Sequence, residues 1–190
     1  EMGVKEVCLL GQNVNAYGKG LEEKLDFSGL LYRINEIEGL QRIRFTTSHP
    51  ADISEELIQS FSRLNKLCEH IHLPFQSGSD RILKKMHRGY TKSSYLEKID
   101  RLRKICPSIA VTADVIVGFP GEGEEDFRET LDLIQTIQFD DLFSFKYSPR
   151  KGTWAAQFPD KVEDQVKQDR LSILQNIQKE ITLQKNQALE

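Results

Sequence analysis

The sequence predicts an α/β protein, a partial and open βα barrel of parallel strands with helices outside it. Short runs rich in Val, Ile, Phe and Thr alternate with amphipathic helical stripes along the whole chain. Strands alternating with helices imply a parallel sheet with right-handed crossovers. No Gly-rich dinucleotide fingerprint follows the first strand, which disfavours a doubly wound sheet. A closed eight-stranded barrel needs about 250 residues, and this chain has 190.

Each element follows from local pattern. Glu6–Leu10 is the first strand. Phe27, Leu30, Leu31, Ile34 and Ile37 then recur at helical spacing. Arg42–Thr47 is the second strand, and Leu57, Ile58, Phe61 and Leu64 form the next stripe, with Asp52 read as its cap and Glu55 three residues on. His70–Pro74 is the third strand. Ile82, Leu83 and Met86 mark a short helix after Ser79, and Leu96, Ile99, Leu102 and Ile105 a longer one that starts at Thr91–Ser94 and stops before Pro107. Val111–Val117 is the fourth strand. Phe127, Leu131, Ile134 and Ile137 define a helix whose acidic first turn suits an N-terminus. Leu142–Tyr147 is the fifth strand. From about Asp160 a long helix carries Val162, Val166, Ile173, Leu174, Ile177 and Ile181 as its apolar positions.

Composition sets outer limits. The chain is 38% hydrophobic and 29% charged, which suits a globular domain rather than a disordered or membrane one. No apolar run approaches the roughly 20 residues of a membrane span, and Glu1-Met2-Gly3 opens no signal-peptide pattern. A cytoplasmic protein without a membrane partner is expected. The formal net charge is −3, but nine Lys or Arg stand against three acids from Asp80 to Lys104. That stretch reads either as a phosphate-attracting patch or as a solvated helix face. Cys8, Cys68 and Cys106 are widely spaced, with no CxxC among them. They are read as small apolar residues, and no metal site is assigned to this chain.

In βα barrels ligands sit at the C-terminal ends of the strands. Here those ends read Gly11-Gln12-Asn13, Thr47-Ser48-His49-Pro50, Pro74-Phe75-Gln76-Ser77-Gly78-Ser79, Gly118-Phe119-Pro120-Gly121 and Tyr147-Ser148-Pro149-Arg150. Amides and hydroxyls bind a polar small molecule, and glycines let it approach the backbone. Acid–base pairs are missing from these tips, and His49 has no Ser or Cys nucleophile beside it. No catalytic residue is assigned. The expected occupant is a cofactor that carries its own reactivity.

The same tips carry a family resemblance. Gly11-Gln12-Asn13-Val14-Asn15-Ala16-Tyr17-Gly18, Arg42 to Pro50, His72 to Asp80, Asp114 to Glu122 with Glu125-Asp126-Phe127, and Tyr147 to Arg150 with Gly152-Thr153 resemble, in this order, the MiaB-like tRNA methylthiotransferases of the radical-SAM superfamily. The likeness runs from about Gly3 to Ile181. It implies a TIM-like partial barrel of the radical-SAM type, here missing its first strand. It also implies a four-iron, four-sulfur (4Fe-4S) cluster on a CxxxCxxC loop absent from this chain, and S-adenosylmethionine cleaved to a radical at the open iron. The implied reaction is 2-methylthiolation of N6-isopentenyladenosine beside the tRNA anticodon. By position in the motifs, Gln12 and Asn13 match the place near the methionine amino group. Ser48, His49, Gln76 and Ser77 match the rim facing the cofactor, Arg88 its carboxylate, and Val115 to Gly118 the strand that approaches adenine.

The resemblance makes the chain the central, by itself inactive, slice of a longer enzyme: residues 1–159 as barrel, and 160–190 as a helix leading toward an absent tRNA-binding domain. Leu189-Glu190 read equally as native or as a cloning scar. The anticodon stem-loop is the partner implied for the full-length protein, and the sheet edge left by the missing strand offers a route to self-association. Lys151 and Trp154 stand where the family usually has Pro, and Gly123 where Thr is common. Relatives that modify threonylcarbamoyladenosine or a ribosomal protein share the barrel and stay open as alternatives. A non-catalytic barrel domain, or a metal-free enzyme using His49 or Asp114, also stays open.

Overall fold

A computed structural model describes residues 3–20, 25–46 and 48–188. The readings that involve Glu1-Met2, Thr47 and Leu189-Glu190 lie outside the described residues. The chain divides into two compact units, Glu1–Pro74 with Glu97–Val111, and Phe75–Leu96 with Thr112–Glu190.

In the first unit β1 (Glu6–Leu9) and β2 (Arg42–Phe45) pair in parallel, Glu6 opposite Arg42 and Leu9 opposite Phe45. The first strand stops one residue short of the sequence reading, and Leu10 is exposed. Leu67 bridges Ile43: Ile43 N–H donates to the Lys66 carbonyl at 2.7 Å and Cys68 N–H to the Ile43 carbonyl at 3.0 Å. β3 (His70–His72) follows, with Ile71 fully buried. Parallel strands need crossovers, and α1 (Phe27–Asn35) and α2 (Glu55–Arg63) supply them. Asp26 caps α1 by accepting the Gly29 N–H, and Ser54 caps α2 by accepting the Leu57 N–H. The sequence pattern places that second cap at Asp52. It falls on Ser54 because Asp52 ends a separate 3-10 turn, Pro50–Asp52, and its carboxylate is engaged by Asn13 and Lys19. Phe27 meets Phe45 edge-on at 5.1 Å and Phe45 meets Phe61 at 6.0 Å. Burying each ring contributes roughly 1.5–3 kcal/mol, so this aromatic row is what holds the helices on the strands.

The second unit is built on β4 (Ala110–Val117), which enters it at Thr112, and β5 (Asp141–Lys146). They pair in parallel from Thr112 opposite Asp141 to Val117 opposite Lys146. Gln76 bridges Val115 as a single extra rung, its N–H donating to the Asp114 carbonyl and its carbonyl accepting the Ile116 N–H, both at 2.9 Å. α3 (Asp80–Lys85) is capped by Ser79. α4 (Lys92–Ile105), which belongs to the first unit from Glu97 on, opens on Thr91 and Ser94, each backbone N–H donating to the other's hydroxyl at 3.0 and 3.2 Å. α5 (Glu124–Ile137) has the acidic first turn Glu124-Glu125-Asp126. Leu131 is only half-buried, and Leu133 takes its place in the apolar face. α5 passes so close to Gly78 that a Cβ there would lie 2.5 Å from the Glu129 carbonyl oxygen, so this glycine serves packing.

α6 (Asp164–Gln187) packs on α5 and β5. Its buried stripe is Lys167, Arg170, Leu174, Gln178 and Ile181. Val162 precedes the helix and Ile173 is 47% exposed, so the stripe is rotated from the one that apolar residues alone predict. The polar members are tolerated because their heads find partners, as Gln178 Nε2 does on the Phe139 carbonyl at 2.9 Å.

Candidate cofactor-binding site

In the first unit the loop after β1 folds into a 3-10 turn, Val14–Ala16, that buries Val14 and Asn15. The Asn15 amide is a two-way tie: Nδ2 donates to the His49 carbonyl at 3.1 Å, and Oδ1 accepts the His49 N–H at 2.9 Å. Asn13 Nδ2 donates to Asp52, as does Lys19. Burial pushes the Asp52 carboxyl up, but those two donors outweigh it and hold it below the usual carboxylate range. His49 Nδ1 accepts the Ala51 N–H at 3.2 Å and lies 3.9 Å from Asp52 Oδ2. Asn13 and His49 thus meet around Asp52. Gln12 is exposed. Asn13 Oδ1 and the Ser48 hydroxyl are buried with no hydrogen-bond partner among the described residues, whereas most buried polar groups have one.

In the second unit Gln76 has φ +65°, an uncommon conformation for a residue other than glycine. Ser77 is buried, and its hydroxyl accepts the Ser79 N–H at 3.2 Å. Ser79 donates to Asp126 at 2.6 Å, and Arg81 forks onto the same carboxylate while donating to the Gly121 carbonyl at 2.6 Å. Burial raises the Asp126 carboxyl, but Arg81, Ser79 and the Gly123 N–H together hold it below its ordinary value.

Arg88 is placed by the end of α3. His87 takes φ +55°, its N–H donates to the Lys84 carbonyl, and the Arg88 N–H reaches the Leu83 carbonyl at 2.9 Å. This is a Schellman ending with His87 in the left-handed position. Arg88 lines a cleft of about 370 Å³ with Ile116, Phe119, Tyr147, Trp154 and Phe158. Arg88 Nε and the Tyr147 hydroxyl are buried without a partner among the described residues. Val115 and Gly118 do not line this cleft; their neighbours Ile116 and Phe119 do. The Gly118 N–H donates to Glu122 Oε1 at 2.8 Å. A Cβ on Gly118, at φ +71°, would sit 2.3 Å from Lys167 Cγ. The close approach that this glycine permits is therefore made by Lys167.

Glu122 and Arg170 are a buried pair at 2.8 Å, with side chains 1% and 8% exposed. Arg170 Nη1 also donates to the Glu122 carbonyl at 3.1 Å, and the guanidinium lies 5.3 Å from the Phe127 ring centre. Burial raises the Glu122 carboxyl, and the Gly118 N–H and Arg170 only partly offset it. Sequence reasoning missed Asn15, Asp52, Glu122, Tyr147 and Arg170. The available signal was a polar residue inside a motif, or on the helical stripe of α6.

Among the described residues no group of three or more His, Cys, Asp or Glu could hold a metal ion. The described residues contain no helix long and apolar enough to cross a membrane.

The chain resembles tRNA-2-methylthio-N(6)-dimethylallyladenosine synthases. That of Syntrophus aciditrophicus is 61% identical over 188 residues, covering 99% of this chain and 41% of the relative. That of Syntrophobacter fumaroxidans is 61% identical over 186 residues, covering 98% and 41%. The chain therefore spans about two fifths of the length of these curated relatives. Among solved structures, coproporphyrinogen III oxidase (HemN) of Escherichia coli matches with a TM-score of 0.66 at 19% identity, over 81% of this chain and 37% of that one. Methylornithine synthase (PylB) matches with 0.58 at 18%, over 93% and 49%. At such identities the likeness is one of fold, and it agrees with the parallel-strand α/β architecture of an open, partial barrel. The family described as the Radical SAM superfamily matches residues 1–134, and the chain belongs to it.

Proposed function

We propose that this chain is the cofactor-binding slice of a tRNA methylthiotransferase that acts on carbon 2 of N6-isopentenyladenosine near the anticodon. The observation that carries the reading is 61% identity across 99% of the chain to synthases of that name. The cofactors are S-adenosylmethionine and a 4Fe-4S cluster. Cluster ligation is assigned to none of the described residues. When bound, S-adenosylmethionine supplies the methyl group and, with the cluster, the one-electron chemistry that activates the C–H bond.

The residues present fit that molecule. In the second unit Arg88 lines the cleft with a guanidinium suited to the methionine carboxylate, and Tyr147 lines it as a second polar side chain. Ile116 and Phe119 supply apolar walls, and Gln76 and Ser77 define the strand tip linked to Val115. In the first unit Gln12, Asn13, Ser48 and His49 are assigned to the cofactor by their motif positions alone, and there the buried Ser48 hydroxyl and Asn13 Oδ1 lack partners among the described residues. Val115 and Gly118 position the end of β4.

The tRNA contact is proposed for the full-length protein in the cytoplasm. The stretch from Arg81 to Lys104 contributes modestly, because Arg81, Lys85, Arg101 and Lys104 are each ion-paired within their own unit. Self-association through the outer edge of β1 is a further proposal, and a monomeric mass by light scattering at high concentration counts against it.

The deciding experiment uses the full-length, anaerobically reconstituted enzyme. Arg88→Ala is expected to weaken S-adenosylmethionine binding by about 10- to 100-fold, the value of a charged hydrogen bond of roughly 1.5–3 kcal/mol. Affinity unchanged within twofold would remove Arg88 from the site.

A further inference from the structure

We infer that Arg170, on the long helix α6, is a positioning residue for the cofactor cleft, acting through Glu122 on the turn after β4. The inference rests on the reading of that cleft as an S-adenosylmethionine site.

The turn Gly118-Phe119-Pro120-Gly121 is held at both ends. At Gly121 the N–H donates to the Asp160 carbonyl at 2.6 Å, and Arg81 donates to the Gly121 carbonyl. At Gly118 the only side-chain acceptor among the described residues is Glu122 Oε1, and that same oxygen receives Arg170 Nη1, both at 2.8 Å. Arg170 fixes Glu122 a second time through its backbone carbonyl and reaches Glu124 at 3.4 Å. Its guanidinium is itself located by the Phe127 ring. One turn earlier on the helix, the Lys167 stem covers Gly118. Two side chains three residues apart on one face of α6 therefore set where the turn begins.

The next residue is Phe119. It walls the cleft beside Arg88 and packs edge-on against Tyr147 at 5.1 Å and Phe158 at 6.2 Å. Displacing Gly118 moves Phe119, and moving Phe119 changes the width of the cleft. Whatever shifts α6 along its axis is thus transmitted to cofactor affinity through a carboxylate and a guanidinium that never touch the cofactor.

The test compares Arg170→Met with Leu174→Ala in the full-length enzyme. Leu174 is fully buried on the same helix and has no hydrogen bond to the turn, so its truncation reports lost packing alone. Two readouts are needed: hydrogen exchange of the Gly118–Gly121 amides without cofactor, and the dissociation constant for S-adenosylmethionine. Arg170→Met is expected to speed exchange of the Gly118 amide at least tenfold and to weaken the cofactor at least tenfold. Leu174→Ala should do neither beyond twofold, even at an equal loss of thermal stability. Arg170→Lys, which keeps the charge without the fork, should fall between wild type and Arg170→Met in both. Equal effects of Arg170→Met and Leu174→Ala, or no change in Gly118 exchange, overturn the inference. If exchange responds as expected while wild-type enzyme does not bind S-adenosylmethionine, the positioning of the turn stands and the reading of the cleft fails.

Discussion

In the first unit the loop after β1 is tied down by an uncharged amide, Asn15, which both gives to and takes from the His49 backbone. In the second, the turn after β4 is tied by charge, with Glu122 and Arg170 buried together and Asp126 gripping Ser79 and Arg81. An amide satisfies a backbone N–H and C=O at once and leaves no charge to solvate. A buried ion pair must first overcome desolvation, and losing one partner strands the other. The difference teaches that the two loops should fail differently, the first by loosening and the second by leaving an uncompensated charge.

Of the two loop ties, the larger effect is therefore expected at Arg170. Arg170→Met should destabilise the second unit by roughly 3–5 kcal/mol, because Glu122 is left buried and unpaired. Adding Glu122→Gln should recover at least half of that, since Gln still accepts the Gly118 N–H without the charge. Denaturant unfolding of the two variants measures both numbers, and a double variant no better than the single one would mean that charge is not the issue. Next comes Asn15→Ala, which removes the acceptor of the His49 N–H at a cost of about 1–3 kcal/mol, while the His49 carbonyl keeps the Asp52 N–H at 3.0 Å. Its effect should be confined to exchange of amides in 11–20 and 48–52. If it matches Arg170→Met in size, the contrast between amide and ion pair does not hold.

Acid sharpens the comparison further. The Asp126 carboxyl is held below its ordinary 3.8 in the folded chain. Its contribution to stability is fully present above that value and is lost as pH falls below it, toward the folded pKa. Asp126→Asn should lower stability at neutral pH by about 1.5–3 kcal/mol and flatten the fall in stability below pH 4. Equal acid slopes for variant and wild type, from urea midpoints at a series of pH values, would detach Asp126 from that transition.

Much of this frame was legible in the residues. Val111 to Val117 alternates between buried and half-buried positions as a strand should, and the five tips do carry the loops described above. What the pattern could not reveal depends on distant partners. Asp52 looks like a cap until Asn13 and Lys19 take its carboxylate. Nothing in the local pattern marks His87 as the left-handed residue ending α3, yet it adopts that conformation, where the Leu83 and Lys84 carbonyls are satisfied. On α6, apolarity points to Ile173, whereas the buried face holds Lys167, Arg170 and Gln178. A polar side chain joins a core only when something far along the chain receives its head group. Periodicity within one helix contains no trace of that receiver.

The smallest effect is expected at Trp154. It lines the same cleft as Phe119, but it is 77% exposed whereas Phe119 is 5% exposed. Exposed side chains away from caps and cores change stability by about 0.5 kcal/mol or less, so Trp154→Ala should unfold at nearly the wild-type urea concentration. Phe119→Ala, by contrast, removes a ring packed on Tyr147 and Phe158 and should cost about 3–5 kcal/mol. Trp154 is the single tryptophan of these 190 residues, so the tryptophan fluorescence of this chain reports on the cleft. S-adenosylmethionine bound beside Arg88 should change that emission in wild type and leave it unchanged in Arg88→Ala at the same ligand concentration. An emission change that survives in Arg88→Ala would place the ligand elsewhere and separate the exposed rim of the cleft from its buried anchor.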